Sequence, residues 1–399
     1  MAKATANRAA LFRVKEVTWG LTPATPALTA TRYTGESLDD QIKTAISKEI
    51  RSDRQTTDLI VVDDSPGGDF NFELSYSTFQ DLITSAFMST ISATIAAVGI
   101  GGDISTTIAA SPAANVTSTL AGKFTGVVVG QWIKLAGFTN PGNNGLFQVT
   151  TVISNQSLSV TPTPAAAETP AGTAATVSSA GMIRNGITEQ SYTLVKIFND
   201  ATTAVRHIFT GMRVSNMSLD MKTGSLLTGK FGFKGQAATY SGVAFAGETY
   251  PAASTSGIMN CVSNVQNILQ NGAAFGTTGA VMSMSIVVDN QHREQKGLGV
   301  LGNVGVVAGS LITKITLAQY FETSAQALMF KNSTSFALSY VLKDNFGNAM
   351  VFTFPFCKYD SFKENAAQLN SDVMAQTTAQ ALLDPVTGCM IQCDFFAGP

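Results

Sequence analysis

Two histidines, His207 and His292, and four cysteines at 261, 357, 389 and 393 carry most of the chemical range of this 399-residue chain. Cys389 and Cys393 are spaced C-x3-C, but neither histidine lies near them and a structural zinc needs four ligands. Buried, reduced thiols are therefore expected, since so few cysteines so late in the chain cannot frame the whole. A nucleophilic triad would have to be built on one of the histidines. His207 sits beside Arg206 in the alternating run Val205–Gly211 and reads as a surface or interface position on a strand. His292 lies in Asp289-Asn-Gln-His-Arg-Glu294, a charged strand end that reads as an interface salt-bridge patch. Asp39-Asp40 and Asp63-Asp64 are adjacent carboxylates, and neighbours on extended chain diverge instead of converging as acid and base. Gly297-Leu-Gly-Val-Leu-Gly302 spells GxGxxG, yet Gly305 and Gly309 follow and no helix pattern opens after it, so a flexible loop is expected. No catalytic, metal or cofactor constellation results, and no enzyme activity is expected.

The elements that hold these residues repeat. Gln41–Ile50 alternates as a strand, Arg51–Asp58 is polar loop, and Ser65-Pro-Gly-Gly68 is a turn. Asp69–Tyr76 puts Phe70, Phe72, Leu74 and Tyr76 on one face, and Ser77 or Thr78 can cap a helix through Met88. The same order returns later: strand Val281–Val288, charged Asp289–Glu294, glycine-punctuated Lys296–Gly309, strand Ser310–Tyr320, and a helix capped by Thr323 that carries Ala327, Leu328 and Phe330. Ser191–Asp200 then matches Ser335–Asp344, and Val205–Met212 matches Ala349–Phe356. Val214–Phe233 and Tyr359–Leu382 complete the two halves. This order predicts an internal duplication of one β-rich unit.

Charged residues make up 13% of the chain, about half the usual share, which suits a surface covered by copies of itself. A net charge of −2 advertises no basic nucleic-acid surface, and no apolar run is long enough for a membrane span. No apolar segment follows Lys3 and Arg8, so no secretory signal is expected and synthesis is expected in a cytoplasm.

The boundaries expected are an arm at 1–36, a first unit at 37–92 and 183–240, an insert at 93–182, a linker at 241–280, and a second unit at 281–399. The arm is Thr/Pro/Ala-rich and reads as a disordered tail or as a segment that orders against a neighbour. The insert is nearly uncharged, with strands Gly130–Gly137 and Gly145–Ile153 joined by a turn, and Trp132 and Phe147 as its expected core. It is expected to point outward, away from the packed strands of its host. Asn260–Gln270 reads as a short helix or a strand.

Ser47–Arg54 with Gly67–Tyr76, Phe209–Val214 with Gly229–Phe233, Asp289–Glu294, and Leu383–Gly388 resemble the tail tube proteins of long, non-contractile-tailed bacteriophages. The Gly130–Gly145 segment resembles modules that decorate such proteins. The resemblance implies a mainly β fold: two tandem tail-tube β-sandwich or barrel units, each with a short flanking helix, plus an inserted small β-barrel or sandwich. It implies a virion protein made in the bacterial host cytoplasm and polymerising into stacked rings, whose sheets join around a channel for double-stranded DNA. Tape measure, tail terminator and distal tail proteins are the implied partners.

Because single-unit relatives form rings of six, two units per chain predict a ring of three with pseudo-sixfold symmetry, a true hexamer being the alternative. The equivalent loops Arg51–Gly68 and Gln291–Gly309, with Arg51, Asp53, Arg54, Asp58, His292, Arg293, Glu294 and Lys296, are expected to make contacts between rings. Two other readings fit the residues: a baseplate or capsid decoration protein, and a β-rich adhesin or carbohydrate-binding protein with Trp132 as a sugar platform.

Overall fold

The computed structural model describes all residues except 1–4, 101, 171–174, 200–203, 277–280, 367 and 399. Expectations that touch Lys3, Asp200 and the end of the 241–280 linker therefore fall outside the described residues. The described residues are mainly β, with two short α-helices among them.

The first half begins with β1 (Ala9–Lys15), β2 (Thr29–Ala30) and β3 (Gly35–Glu36). A hairpin of β4 (Lys43–Ile46) and β5 (Leu59–Asp63) follows, then β6 (Gly67–Glu73) and α1 (Gln80–Ala86). Instead of forming a free arm, β1 pairs along its whole length with a later strand of its own chain, from Ala9 opposite Phe198 to Lys15 opposite Tyr192. Its Arg13 anchors the helix through an ion pair to Asp81 at 2.8 Å. The helix starts later than its sequence suggests. Ser77 takes a left-handed φ of 61° and Thr78 bonds Ser75, so neither side chain caps it.

The insert holds β7 (Ile95–Val98), β8 (Ile104–Thr106), β9 (Val116–Ser118), β10 (Trp132–Ala136), β11 (Gly145–Ser154), β12 (Ser157–Thr161) and β13 (Thr176–Ser179). These form one seven-stranded antiparallel sheet in the order β7-β13-β10-β11-β12-β9-β8, with its own core around Ile133, Leu135, Phe147 and Val177.

The chain returns through β14 (Met182–Arg184), β15 (Tyr192–Phe198), β16 (Val205–Lys222), β17 (Thr228–Lys234) and β18 (Ala237–Ser241). The second half then comprises β19 (Val265–Gln270), β20 (Ala273–Ala274), β21 (Val281–Asp289), the small hairpin β22 (Arg293–Gln295) and β23 (Gly305–Val307), and β24 (Ile312–Tyr320). It ends with α2 (Ala325–Lys331), β25 (Phe336–Lys343), β26 (Ala349–Asn365), β27 (Met374–Ala381) and β28 (Gln392–Phe396). The segment that the sequence left open between helix and strand is thus the strand β19.

Hydrogen-bond pairing exposes the repeat. β16 pairs with β15 and β18 along its first half and with β17 along its second, while β6 lies between β17 and β3. In the second half β26 pairs with β25 and β28, then with β27, while β24 lies between β27 and β21. Even the irregularities coincide. A register shift between Val214 and Asn216 matches one between Tyr359 and Ser361. Another between Tyr192 and Leu194 matches one between Phe336 and Leu338. Bulges of this kind set the bend of a strand, so both long strands turn from one layer of the sandwich into the other at the same point.

One pairing of the sequence-derived repeat shifts. The equivalent of β21 is Gly35–Asp39, because Glu36 lies opposite Phe70 as Met284 lies opposite Leu317. Gln41–Ile50 is the entry to the hairpin instead.

One apolar core runs through both halves, from Phe70, Phe72, Phe79 and Phe231 to Tyr340, Phe352 and Phe354. Phe72 stacks on Phe231 with ring centroids 4.7 Å apart. Each such ring contributes roughly 1.5–3 kcal/mol on burial. The two helices differ: Leu82 and Ile83 of α1 are buried, while Leu328 and Phe330 of α2 are exposed.

Candidate functional site

The β4–β5 hairpin is an exposed apolar surface. Ile42, Ile46, Leu59, Ile60, Val61 and Val62 are all exposed, on both faces of an isolated two-stranded ribbon. Such a ribbon is marginal by itself, and so much exposed aliphatic surface marks a contact site. Its base is held by charge. Lys296 Nζ lies 2.5 Å from Asp63 Oδ1 and donates to the Asp64 carbonyl and Ser65 Oγ, both at 2.8 Å. Lys43 also reaches Asp63, at 3.1 Å. On the other leg, His207 Nε2 lies 2.6 Å from Asp40 Oδ1, and its ring stacks on Tyr240 at 4.0 Å. Burial raises the Asp64 carboxyl above its ordinary value, and the Asp40 charge adds to this.

These contacts split the set of expected ring-contact residues. Arg51, Asp53, Arg54 and Asp58 occupy the exposed hairpin tip, where Arg51 pairs with Asp53 at 2.6 Å. Lys296 turns back to the hairpin base. Glu294 lies 3.9 Å from Lys234, while Arg293 is exposed. His292 is buried, and burial together with the neighbouring Arg213 guanidinium lowers its pKa to about 4. The glycine-rich loop that follows is folded onto the first half: Asn303 Nδ2 donates to the Gly235 carbonyl at 2.7 Å. No helix opens after Gly302, as a phosphate cradle would require.

The second surface is a sheet. Through β3-β6-β17-β16-β21-β24-β27-β26 the pairing is continuous and antiparallel, passing from the first half to the second where β16 meets β21. One face supplies the core. The other is polar, with Asn71, Asp220, Lys222, Lys314 and Gln376 exposed and Lys230 paired to Asp69 at 2.9 Å. Burial thus separates the core face of these strands from the polar one.

The third feature is the joint of the insert. Trp132 does not belong to the insert's own core. Along β10, Ile133 and Leu135 face that core, and alternation sends Trp132 to the opposite side, against Val341, Val351 and Phe396. Through Trp132 the insert is docked on its host strands. Trp132 Nε1 donates to Thr353 Oγ1 at 2.9 Å and its amide donates to Asp394 Oδ1 at 3.2 Å. Gln392 Nε2 donates to Asp394 at 2.6 Å and to the Gly130 carbonyl at 2.8 Å, and Arg184 holds Gln392 and the Thr387 carbonyl. Complete burial raises Asp394 to about 8. Phe147 does lie in the insert core. A tryptophan so enclosed presents no open platform for a sugar.

Cys357, Cys389 and Cys393 are buried and Cys261 partly so, all four as free thiols. Burial raises Cys357 to about 12, which suppresses thiolate chemistry. Among the described residues no cluster of three or more His, Cys, Asp or Glu could hold a metal ion. No helix there is long and apolar enough to cross a membrane.

The fold is a duplicated β-sandwich with exposed sheet edges and an apolar hairpin. The chain matches the family described as phage tail tube protein over residues 6–381, and it belongs to that family of virion tail components. No curated protein matches it.

Proposed function

We propose that this chain polymerises into stacked rings that form the tube of a phage tail, and that the tube conducts double-stranded DNA into the host. The observation that carries this reading is the continuous sheet from β3 to β26, polar on one face and ending in two separate edges. Joined head to tail, such sheets close into a barrel and remove their edges. The polar face then lines the channel. It intersperses Lys222, Lys230 and Lys314 with Asp69, Glu73 and Asp220, so no continuous basic stripe holds phosphate.

Two equivalent units per chain support a ring of three chains with pseudo-sixfold symmetry, carrying three outer knobs made by residues 93–182. Stacking is assigned to the exposed hairpin tip with Arg51, Asp53, Arg54 and Asp58. From the second loop the exposed Arg293 and half-buried Glu294 join this contact, while Lys296 holds the hairpin's base and His292 is buried beneath. The tape measure, terminator and distal tail proteins meet the tube inside and at its ends. Synthesis takes place in the bacterial cytoplasm.

Negative-stain electron microscopy of the purified chain, with rotational averaging of end-on views, tests this. Hollow tubes with three knobs per ring are expected. Six knobs in true sixfold symmetry would remove the trimer and keep the tube; folded particles that never form rings would remove the function.

A further inference from the structure

The molecule contains a worked example of its own sheet-to-sheet joint. Where the halves meet, β16 pairs with β21 in a fixed register, with Met217 opposite Val288, Ser218 opposite Val287, Leu219 opposite Ile286 and Asp220 opposite Ser285. The matching bulges place Ser361–Asn365 of β26 where Asn216–Asp220 stand in β16. The pairing with β6 and β24 places Ser37–Asp39 where Ser285–Val287 stand in β21. Yet the second half of β26 is paired with β27 on one side, and among the described residues nothing pairs on the other. Its core-side residues show the gap. Phe362 is only half-buried and Glu364 is exposed, whereas their counterparts Met217 and Leu219 are fully buried.

Resting on the ring assembly proposed above, we propose that the free edge of β26 pairs with Ser37–Asp40 of a second copy of this chain, in the register of the internal β16–β21 joint. Lys363 then lies opposite Asp39, Phe362 opposite Asp40, Glu364 opposite Leu38 and Asn365 opposite Ser37. Both Lys363 and Asp39 are exposed in the single chain, and opposite charges directly across an antiparallel pair favour that register.

The residues that differ between the internal joint and this outer one differ in a complementary way. Glu364 stands where the internal joint has Leu219. Lys196 of β15 stands where β25 has Tyr340, since Leu194 and Leu338 hold equivalent positions. The outer joint thus gains an acid on one chain and a base on the other at the same level of the sandwich.

In the single chain these groups guard the edge. Ser37 and Asp39 direct their amides to β6, so the amide and carbonyl of Leu38 face away from it. Glu36 Oε2 accepts from the Leu38 amide and Lys196 Nζ donates to the Leu38 carbonyl, each at 2.9 Å. Lys196 also pairs with Glu36 at 3.0 Å. An incoming β26 displaces this cap at the Leu38 backbone and brings Glu364 to the Lys196 ammonium. A charged plug on an edge strand also keeps unassembled chains from pairing at random.

The test is a disulfide across the joint in the full chain. The double variant D39C/K363C is assembled, oxidised mildly and run on a non-reducing denaturing gel beside the wild-type chain and D39C/K358C, a pair far out of register. A covalent ladder that ends at the trimer is expected from D39C/K363C alone. Tubes seen by microscopy with no cross-linked species would overturn the joint and leave the tail-tube reading standing. A folded wild-type chain that never assembles would remove both. Should D39C/K363C fail to assemble where the wild type does, E364K decides. Assembly slowed at least tenfold supports the joint; an unchanged rate sinks it.

Discussion

Lys296 and Asp63 come from opposite halves of the chain, and their side chains meet at 2.5 Å at the base of the β4–β5 hairpin. The second half thereby sets the direction in which this exposed hairpin of the first half leaves the body. The Lys296→Met variant is expected to free the hairpin without unfolding the sandwich. Limited proteolysis should then cut within 47–58 several-fold faster, with the melting temperature nearly unchanged. Equal cleavage of variant and wild type would assign no such role to Lys296.

The hairpin carries its aliphatic residues on both faces, so a charge at Ile60 should disturb contacts and spare the fold. Ile60→Lys is expected to leave single rings intact and to abolish stacking into tubes. Sedimentation and microscopy separate the two states. Tubes of normal length would assign stacking to another surface.

Trp132 joins the insert to its host strands through a buried ring, a side-chain hydrogen bond to Thr353 and a backbone hydrogen bond to Asp394. Trp132→Phe should cost about 1 kcal/mol for the lost bond, and Trp132→Ala about 3–5 kcal/mol with the cavity included. Denaturant unfolding measures both. The alanine variant should also raise amide exchange along β25 and β28, the strands beneath the insert.

Two buried groups give opposite pH dependences. His292 is held at about 4, below its free value, so the folded state keeps it neutral. Its contribution is present at neutral pH and is lost as pH falls through 6.5 toward 4. Asp394 is held at about 8, above its free value, so its contribution is full in acid and is lost as pH rises from about 4 through 8. Melting temperatures across this range should show Asp394→Asn flattening the alkaline side and His292→Gln flattening the acid side. The same slopes in both variants and the wild type would contradict these assignments.

Much of the fold was legible because duplication leaves a pattern that needs no contacts to read. The order of strand, loop, strand and helix, and the match of Ser191–Asp200 with Ser335–Asp344, can be seen from residue types alone. The partner of Val281–Val288 was misplaced because Lys43–Ile46 also alternates, and alternation reports a two-faced strand without saying which layer it joins. Gly35–Asp39 is short, and its membership of the sheet rests on pairing to β6, a long-range fact. Trp132 was assigned to the insert because aromatic residues on strands usually fill the nearest core; which face of β10 met which neighbour depended on β26, more than 200 residues away. The exposed set at Arg51–Asp58 was readable from its polarity. The inward turn of His292 and Lys296 was not, since charged sequence looks the same whether it meets solvent or a distant aspartate.

The joint between β16 and β21 has a kinetic consequence. Linking two sheet units by one chain raises their effective concentration toward each other far above that of free subunits. Half of the joints in a proposed six-unit ring are then made during folding, before any encounter between molecules. Only the joints between chains depend on concentration, so closure of each ring can be governed at those edges while the rest of the ring arrives already built.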